Sequence, residues 1–213
     1  LFLSQNRSLL SFSGPYCSPA IGFHLENFGK NCVEQTKKVI NYAVSNEGIK
    51  NVIIYAQWSN YTKGYRENDK PQLGCYFNQC SDNIDDNSSI FQNAFNETIS
   101  LLTNSNKKIY ILYPSPEFRY KGDRVYYRNQ LFGKDSLSNT SIDEYEKRNT
   151  EILKILKSIK SNRITFIDTK DIFCSSNLCN QLGKNGFPLF FDTNHVNNLG
   201  AELIINRLEM RGL

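Results

Sequence analysis

Short apolar runs alternate along the chain with longer amphipathic segments. The runs are bounded by polar residues, Pro or Gly and are rich in β-branched and aromatic residues, which is typical of buried strands. They lie at 8–13, 51–57, 108–113 and 164–168. The longer segments repeat apolar residues at helical spacing. They lie at 32–44, 89–102, 142–159 and about 198–210. This alternation predicts a parallel sheet covered by helices on both faces.

Two polar insertions interrupt the alternation, at about 60–88 and 119–140. Both are long for connections between a strand and a helix. Loops at the carboxyl ends of strands are where α/β proteins build their sites, so the insertions are candidate site loops. The sequence shows no internal repeat and no linker, and we expect residues 1–213 to form one domain.

Six cysteines fall into three local pairs: Cys17 with Cys32, Cys75 with Cys80, and Cys174 with Cys179. The two C-x4-C spacings have an alternative interpretation as four zinc ligands. Zinc sites more often use tighter C-x2-C spacings and hold together domains with little core. We therefore expect three disulfides, no metal and an oxidising compartment.

Charge and hydropathy exclude two classes of partner. The net charge of +4 is spread along the chain without a Lys/Arg run, which argues against nucleic acid. The sequence lacks an apolar stretch long enough to span a membrane. It begins with Leu rather than Met and has no signal peptide at its start, so we expect it to belong to a larger protein.

One short motif near the end of the chain carries candidate chemistry. In FFDTNHVNNLGAELI (190–204), Asp192 precedes His195 by three residues. A tight turn lets such a carboxylate accept a hydrogen bond from the imidazole, which leaves the other ring nitrogen free to take a proton from a nucleophile. The alternative is that Asp192 or Asn194 caps the last helix and His195 is an ordinary surface residue.

The motif and its context resemble a known family, the SGNH hydrolases, whose last conserved block is D-x-x-H followed by a Gly-Ala pair. More specifically, they resemble the SGNH domains attached to acyltransferase family 3 membrane proteins. Further matching segments are SGPYCSP (13–19), NVIIYAQWSNY (51–61), YILYPSPEF (110–118) and the Cys174–Cys179 pair. The resemblance implies a disulfide-bonded, three-layer α/β/α fold with a flavodoxin-like parallel sheet.

The sequence departs from this family at two places. The family's nucleophile is the Ser of a Gly-Asp-Ser block at the end of the first strand, and no such block occurs here. Ser4 is the only candidate by position, but it precedes residue 8 too closely for the crossover helix that parallel strands need. We therefore expect the first strand and the nucleophile to lie upstream of Leu1. Trp58 also stands where many members carry an oxyanion-hole Asn, so the backbone N–H of Gly14 is the candidate donor.

The resemblance implies O-acyl transfer, with an acetyl group, to a bacterial surface polysaccharide or lipopolysaccharide O-antigen. His195 would be the general base and Asp192 would orient it. The acyl group would come from the attached membrane domain, with no bound cofactor, and the domain would be periplasmic and tethered to the inner membrane. The alternatives are a secreted carbohydrate esterase and a glycan-binding domain without catalysis.

Several other residues have both a functional and a structural interpretation. Trp58 and Tyr61 form either a sugar-stacking wall or packing at the end of a strand. We expect His24 to be an ordinary loop or core residue. Glu117 is not expected to act as a second catalytic carboxylate. An aromatic and basic patch either binds a polysaccharide or an anionic carrier or forms a solvated loop, which we favour. It comprises Arg119, Tyr120, Arg124, Tyr126, Tyr127 and Arg128.

Overall fold

The computed structural model describes residues 8–64, 72–133 and 139–213. The helices are α1 (Val33–Ser45), α2 (Asn60–Lys63), α3 (Asn87–Asn104), α4 (Gly122–Phe132), α5 (Ile142–Ser158), α6 (Lys170–Phe173) and α7 (Asn198–Met210). The strands are β1 (Phe23–Leu25), β2 (Asn51–Ile54), β3 (Gly74–Tyr76), β4 (Gln79–Cys80), β5 (Lys108–Leu112), β6 (Thr140–Ser141), β7 (Ile164–Ile167), β8 (Cys174–Ser175) and β9 (Leu178–Cys179). All four helices expected from the apolar spacing are present, as α1, α3, α5 and α7.

The centre of the fold is a parallel sheet with the strand order β2-β5-β7. Side chains alternate across it, because successive residues of a strand point to opposite faces. Ile109 and Ile111 of β5 belong to an apolar cluster with residues of α1, α3 and α5. Tyr110 and Leu112 belong to a second cluster with residues of α7. The three predicted strands of this sheet are thus confirmed.

The fourth predicted strand, at 8–13, is wrong. These residues form no regular structure, and Leu9 and Leu10 are 63% and 70% exposed. The run is short and rich in Ser, and within the described part of the chain no further layer covers Leu9 and Leu10. Among the described residues β2 pairs only with β5, so its other side is an open edge of the sheet.

The two polar insertions contain more structure than expected. The first contributes β3 and β4 to a small antiparallel sheet of order β1-β3-β4. The second contains α4 and ends in β6, which joins another antiparallel sheet of order β6-β9-β8. Over the ranges that the structure describes, the fold is therefore mixed, with one three-stranded parallel sheet and two small antiparallel ones in place of a single larger parallel sheet.

All six cysteines form the disulfides that sequence proximity predicted: Cys17–Cys32, Cys75–Cys80 and Cys174–Cys179. The last two join strands of the small antiparallel sheets. His24 lies beside Cys75 and Cys80, but bonded sulfurs are not thiolate ligands, so the structure does not support the zinc alternative. In the described part of the chain, no helix is both long and apolar enough to cross a membrane.

Candidate active site

The D-x-x-H motif forms a tight turn in the segment between β9 and α7. The backbone N–H of Phe191 donates to the carbonyl of His195 over 2.7 Å, which closes the turn. Inside it, Oδ1 of Asp192 accepts the backbone N–H groups of Asn194 at 2.9 Å and His195 at 2.7 Å. The carboxylate therefore shapes the turn that carries the histidine.

The second oxygen of the same carboxylate binds the imidazole. Nδ1 of His195 lies 2.8 Å from Oδ2 of Asp192. An ionised carboxylate only accepts hydrogen bonds, so Nδ1 carries a proton, and in the neutral ring Nε2 then keeps its lone pair. The His195 side chain is 70% exposed and that of Asp192 28% exposed. The ring is thus fixed at one nitrogen and accessible at the other.

The environment favours an ionised Asp192. Burial alone would raise its pKa, but hydrogen bonds from the backbone of Asn194 and from the backbone and ring of His195 outweigh burial. The pKa of this carboxyl therefore lies below its usual value. A carboxylate that stays charged is what stabilises an imidazolium during proton transfer.

The helix-cap interpretation of Asp192 and Asn194 is not what the structure shows. The N-cap of α7 is Asn197, whose side-chain oxygen accepts the backbone N–H groups of Leu199 and Gly200. Asp192 is left to bind His195. Gly200 is required by packing, because a Cβ there would collide with the carbonyl oxygen of Leu189. This contact explains the small residue at the start of the helix.

Two supports of the turn come from distant parts of the sequence. Gln181 is fully buried, and its amide nitrogen donates to the carbonyl oxygens of Tyr120 at 2.7 Å and Asp192 at 3.0 Å. The backbone N–H of Phe118 donates to the carbonyl of Thr193 over 2.7 Å. Sequence reasoning missed Gln181, since a lone Gln carries no spacing signal that would indicate its partners.

His195 faces a large groove of about 1760 Å³. One wall is formed by residues 8–19 and the groove runs along the open edge of β2, at residues 51–54, to His195. Gly14 lines it too, and remains the candidate oxyanion-hole donor. Ser4 lies outside the described residues. Within those residues, no serine side chain is hydrogen-bonded to the His195 ring.

Trp58 and Tyr61 are core residues. Trp58 is fully buried, donates from Nε1 to the carbonyl of Leu112 over 2.8 Å, and packs edge-on against Phe95. Tyr61 is 5% exposed and stacks on Phe91. Because both rings are covered by protein, the structure supports the packing interpretation and leaves no exposed face for a sugar.

His24 and Glu117 also have structural surroundings. His24 lies in β1 rather than in a loop, and burial lowers its pKa, aided by the charge of Lys30 and opposed by a hydrogen bond to the backbone of Gly22. Glu117 is buried. It accepts a hydrogen bond from Ser59 at 2.6 Å and forms an ion pair with Arg148 at 3.3 Å. Glu117 lines the groove, but its charge is paired with Arg148. The carboxylate that binds His195 is that of Asp192.

The geometry defines an α/β protein with an oriented Asp–His dyad at one end of a groove. Residues 1–209 match the family described as the SGNH domain fused to AT3 domains. The chain therefore belongs to this family and has an SGNH fold, which confirms the resemblance drawn from its motifs.

Among solved structures, the chain is similar to the periplasmic domain of the lipopolysaccharide acetyltransferase of Salmonella ser. Paratyphi A. The TM-score is 0.55 at 15% sequence identity, over 84% of this chain and 62% of that one. At this identity the similarity concerns the fold, and the chain spans 62% of that domain's length. Comparison with curated proteins gives no match.

Proposed function

We propose that this domain transfers an acyl group, specifically an acetyl group, to a hydroxyl of a bacterial surface polysaccharide or O-antigen. The observation that carries the proposal is the 2.8 Å contact between Asp192 and His195, which leaves Nε2 facing a groove. Membership of a family fused to AT3 domains supports acyl chemistry. So does the fold similarity to a domain of a lipopolysaccharide acetyltransferase.

The nucleophile in this proposal is a Ser on a segment that seats in the groove beside β2. Among the described residues no strand pairs with the outer edge of β2, and such an edge can accept a further strand. A parallel strand at this position would extend the sheet into the three-layer, flavodoxin-like arrangement, and its carboxyl end would point toward the loops that hold His195. Within the given sequence Ser4 is the weaker candidate, because it is not part of the Gly-Asp-Ser block that carries the family's nucleophile.

The dyad moves one proton in each half of the reaction. Nε2 of His195 takes the proton of the Ser hydroxyl as Oγ attacks the acyl carbonyl, and it returns that proton to the leaving group of the donor. The acyl-enzyme is then attacked by a sugar hydroxyl, whose proton passes to Nε2 and on to the Ser oxygen. Asp192 stays ionised and holds the ring throughout. Gly14 is the proposed oxyanion donor.

The proposal places the domain in the periplasm, beside a membrane acyltransferase domain of the same polypeptide. Three disulfides fit an oxidising compartment. The attached domain would deliver the acyl group, so the site itself needs no bound cofactor. Tethering to the inner membrane follows from the same arrangement.

A second candidate is a carbohydrate esterase with the same triad. The observation that favours it is the 70% exposure of the His195 side chain, which gives water access to Nε2. A glycan-binding domain without catalysis would instead have no Ser within reach of His195 in the complete protein. An assay of the full-length protein separates the three.

The test is hydrolysis of p-nitrophenyl acetate by the full-length protein and by its His195→Ala variant. Loss of the general base is expected to lower the rate about 10³-fold or more. Asn198→Ala is a matched control, because Asn198 is exposed at the start of α7 close to the dyad. Equal rates for wild type and His195→Ala would remove the dyad from the mechanism. Acyl transfer to an added oligosaccharide, measured by mass spectrometry, then distinguishes transferase from esterase.

A further inference from the structure

Next to the dyad lies a group of aromatic residues, two exposed and two half-buried, which we call the aromatic surface. Phe191 directly precedes Asp192 and is 77% exposed, an unusual position for a large apolar ring. Phe187 is 49% exposed and stacks against Tyr126 of α4 with ring centres 5.5 Å apart. The remaining ring is Tyr120, which precedes α4. The aromatic surface consists of Tyr120, Tyr126, Phe187 and Phe191.

Contacts with backbone carbonyl groups connect this surface to the turn that carries Asp192 and His195. Gln181 donates from one amide nitrogen to the carbonyls of both Tyr120 and Asp192. The first turn of α4 packs on the segment that leads to the dyad, since a Cβ on Gly122 would lie 2.5 Å from the carbonyl oxygen of Phe190. These contacts connect the backbone next to the rings with the turn that carries His195. The patch that was predicted to be a solvated loop instead lies largely on α4, whose first turn is packed against this segment.

Two guanidinium groups add positive charge to the surface. Arg124 lies 5.1 Å and Arg119 lies 5.7 Å from the centre of the Tyr120 ring. Both arginines are exposed, and neither forms an ion pair within the residues that the structure describes. Stacking on the ring holds each guanidinium in place while its N–H donors stay available. Planar N–H forks of this kind fit carboxylate and phosphate groups.

We infer that the aromatic surface binds the acceptor glycan and that this glycan carries negatively charged sugar units. Sugar rings present C–H faces that pack on aromatic rings, and acidic substituents pair with Arg119 and Arg124. The position of Phe191 beside Asp192 brings the bound chain past Nε2 of His195. The identification of the bound glycan as the acceptor rests on the proposed function. Binding of the glycan itself requires no catalysis.

The test measures binding of oligogalacturonate and of neutral malto-oligosaccharide to the full-length protein by isothermal titration calorimetry. The acidic chain is expected to bind more tightly, with an affinity that falls as salt is raised. Phe191→Ala should weaken binding about fivefold. Arg119→Gln combined with Arg124→Gln should weaken it about tenfold and remove most of the salt dependence. Phe132→Ala, 81% exposed at the far end of α4, is the control and should bind as wild type.

Three outcomes would overturn the inference: equal binding of the acidic and neutral chains, no effect of either variant, or loss of affinity in Phe132→Ala as well. Co-sedimentation with anionic vesicles that depends on the two arginines, without glycan binding, would assign the surface to a membrane instead. Failure of the proposed function is a separate result. It would appear as p-nitrophenyl acetate hydrolysis that does not depend on His195, whether or not the glycan binds.

Discussion

Replacement of Asp192 by Asn separates the two roles of this side chain. Oδ1 shapes the turn by accepting two backbone N–H groups, and Oδ2 binds Nδ1 of His195. An Asn keeps an oxygen for the turn but places an NH₂ group opposite Nδ1. The ring must then carry its proton on Nε2, so it cannot accept one from a nucleophile. We expect kcat for acyl transfer or ester hydrolysis to fall about 10⁴-fold.

The stability of the same variant should change much less. Hydrogen bonds to a charged acceptor contribute about 1.5–3 kcal/mol each, and a neutral oxygen retains roughly half of that. Because Asp192 is 28% exposed, we expect Asp192→Asn to cost about 1 kcal/mol and Asp192→Ala about 2 kcal/mol. Urea unfolding of the full-length protein measures both. Activity of Asp192→Asn within tenfold of wild type, with the fold intact, would refute the tautomer argument.

The carboxylate also predicts a pH dependence. The folded-state pKa of Asp192 lies below the usual value of 3.8, so the stability it contributes is present above about pH 4. That contribution is lost as the pH falls through the lowered pKa. The difference in unfolding free energy between wild type and Asp192→Asn should therefore shrink as the pH falls below about 4. A difference that grows as the pH falls below about 4 would contradict the assigned direction.

The remaining predictions concern the supports of the site. Gln181→Met removes the part-buried hydrogen bonds to the carbonyls of Tyr120 and Asp192 and should cost about 2 kcal/mol in urea unfolding, together with a fall in kcat beyond that of an equally destabilised control. Replacing Cys17 and Cys32 by Ser opens a crosslink with a sequence separation of 15 and should cost about 3 kcal/mol, seen as a lower denaturant midpoint. Arg148→Met leaves the Glu117 carboxylate buried without its cation and should cost about 3 kcal/mol. Adding Glu117→Gln should recover part of this loss, and no recovery would mean that the ion pair is not the cause.

The spacing of apolar residues, and the polar, Pro and Gly residues that bound each run, were sufficient to predict the central part of the fold. The predicted strands at 51–57, 108–113 and 164–168 are short, rich in β-branched residues and bounded by residues that break regular structure. Runs of this kind between amphipathic helices are typical of buried strands. The run at 8–13 has the same local pattern but is exposed. Burial depends on what packs against a segment, and no local pattern contains that information. The antiparallel sheets were missed for a related reason, since strands of two or three residues are too short to show a period.

The site divides in the same way. Asp192 and His195 were predictable because both lie in one turn. At a separation of three residues, a tight turn is enough to bring the two side chains into contact. Gln181 is separated from Tyr120 by 61 residues, and only the folded chain brings the two together. Trp58 has the sequence context of an exposed strand end, yet its indole reaches inward to Leu112. Rotation of a side chain toward or away from the core is decided by long-range packing.

The central claim is that Asp192 and His195 activate a Ser whose segment seats in the groove beside β2. The most direct measurement is labelling of the full-length protein with a serine-reactive fluorophosphonate, followed by peptide mapping by mass spectrometry. The account predicts one labelled Ser, located outside residues 8–213, and loss of the label in His195→Ala. Labelling that persists in His195→Ala, or the absence of any labelled Ser in an active protein, would contradict it.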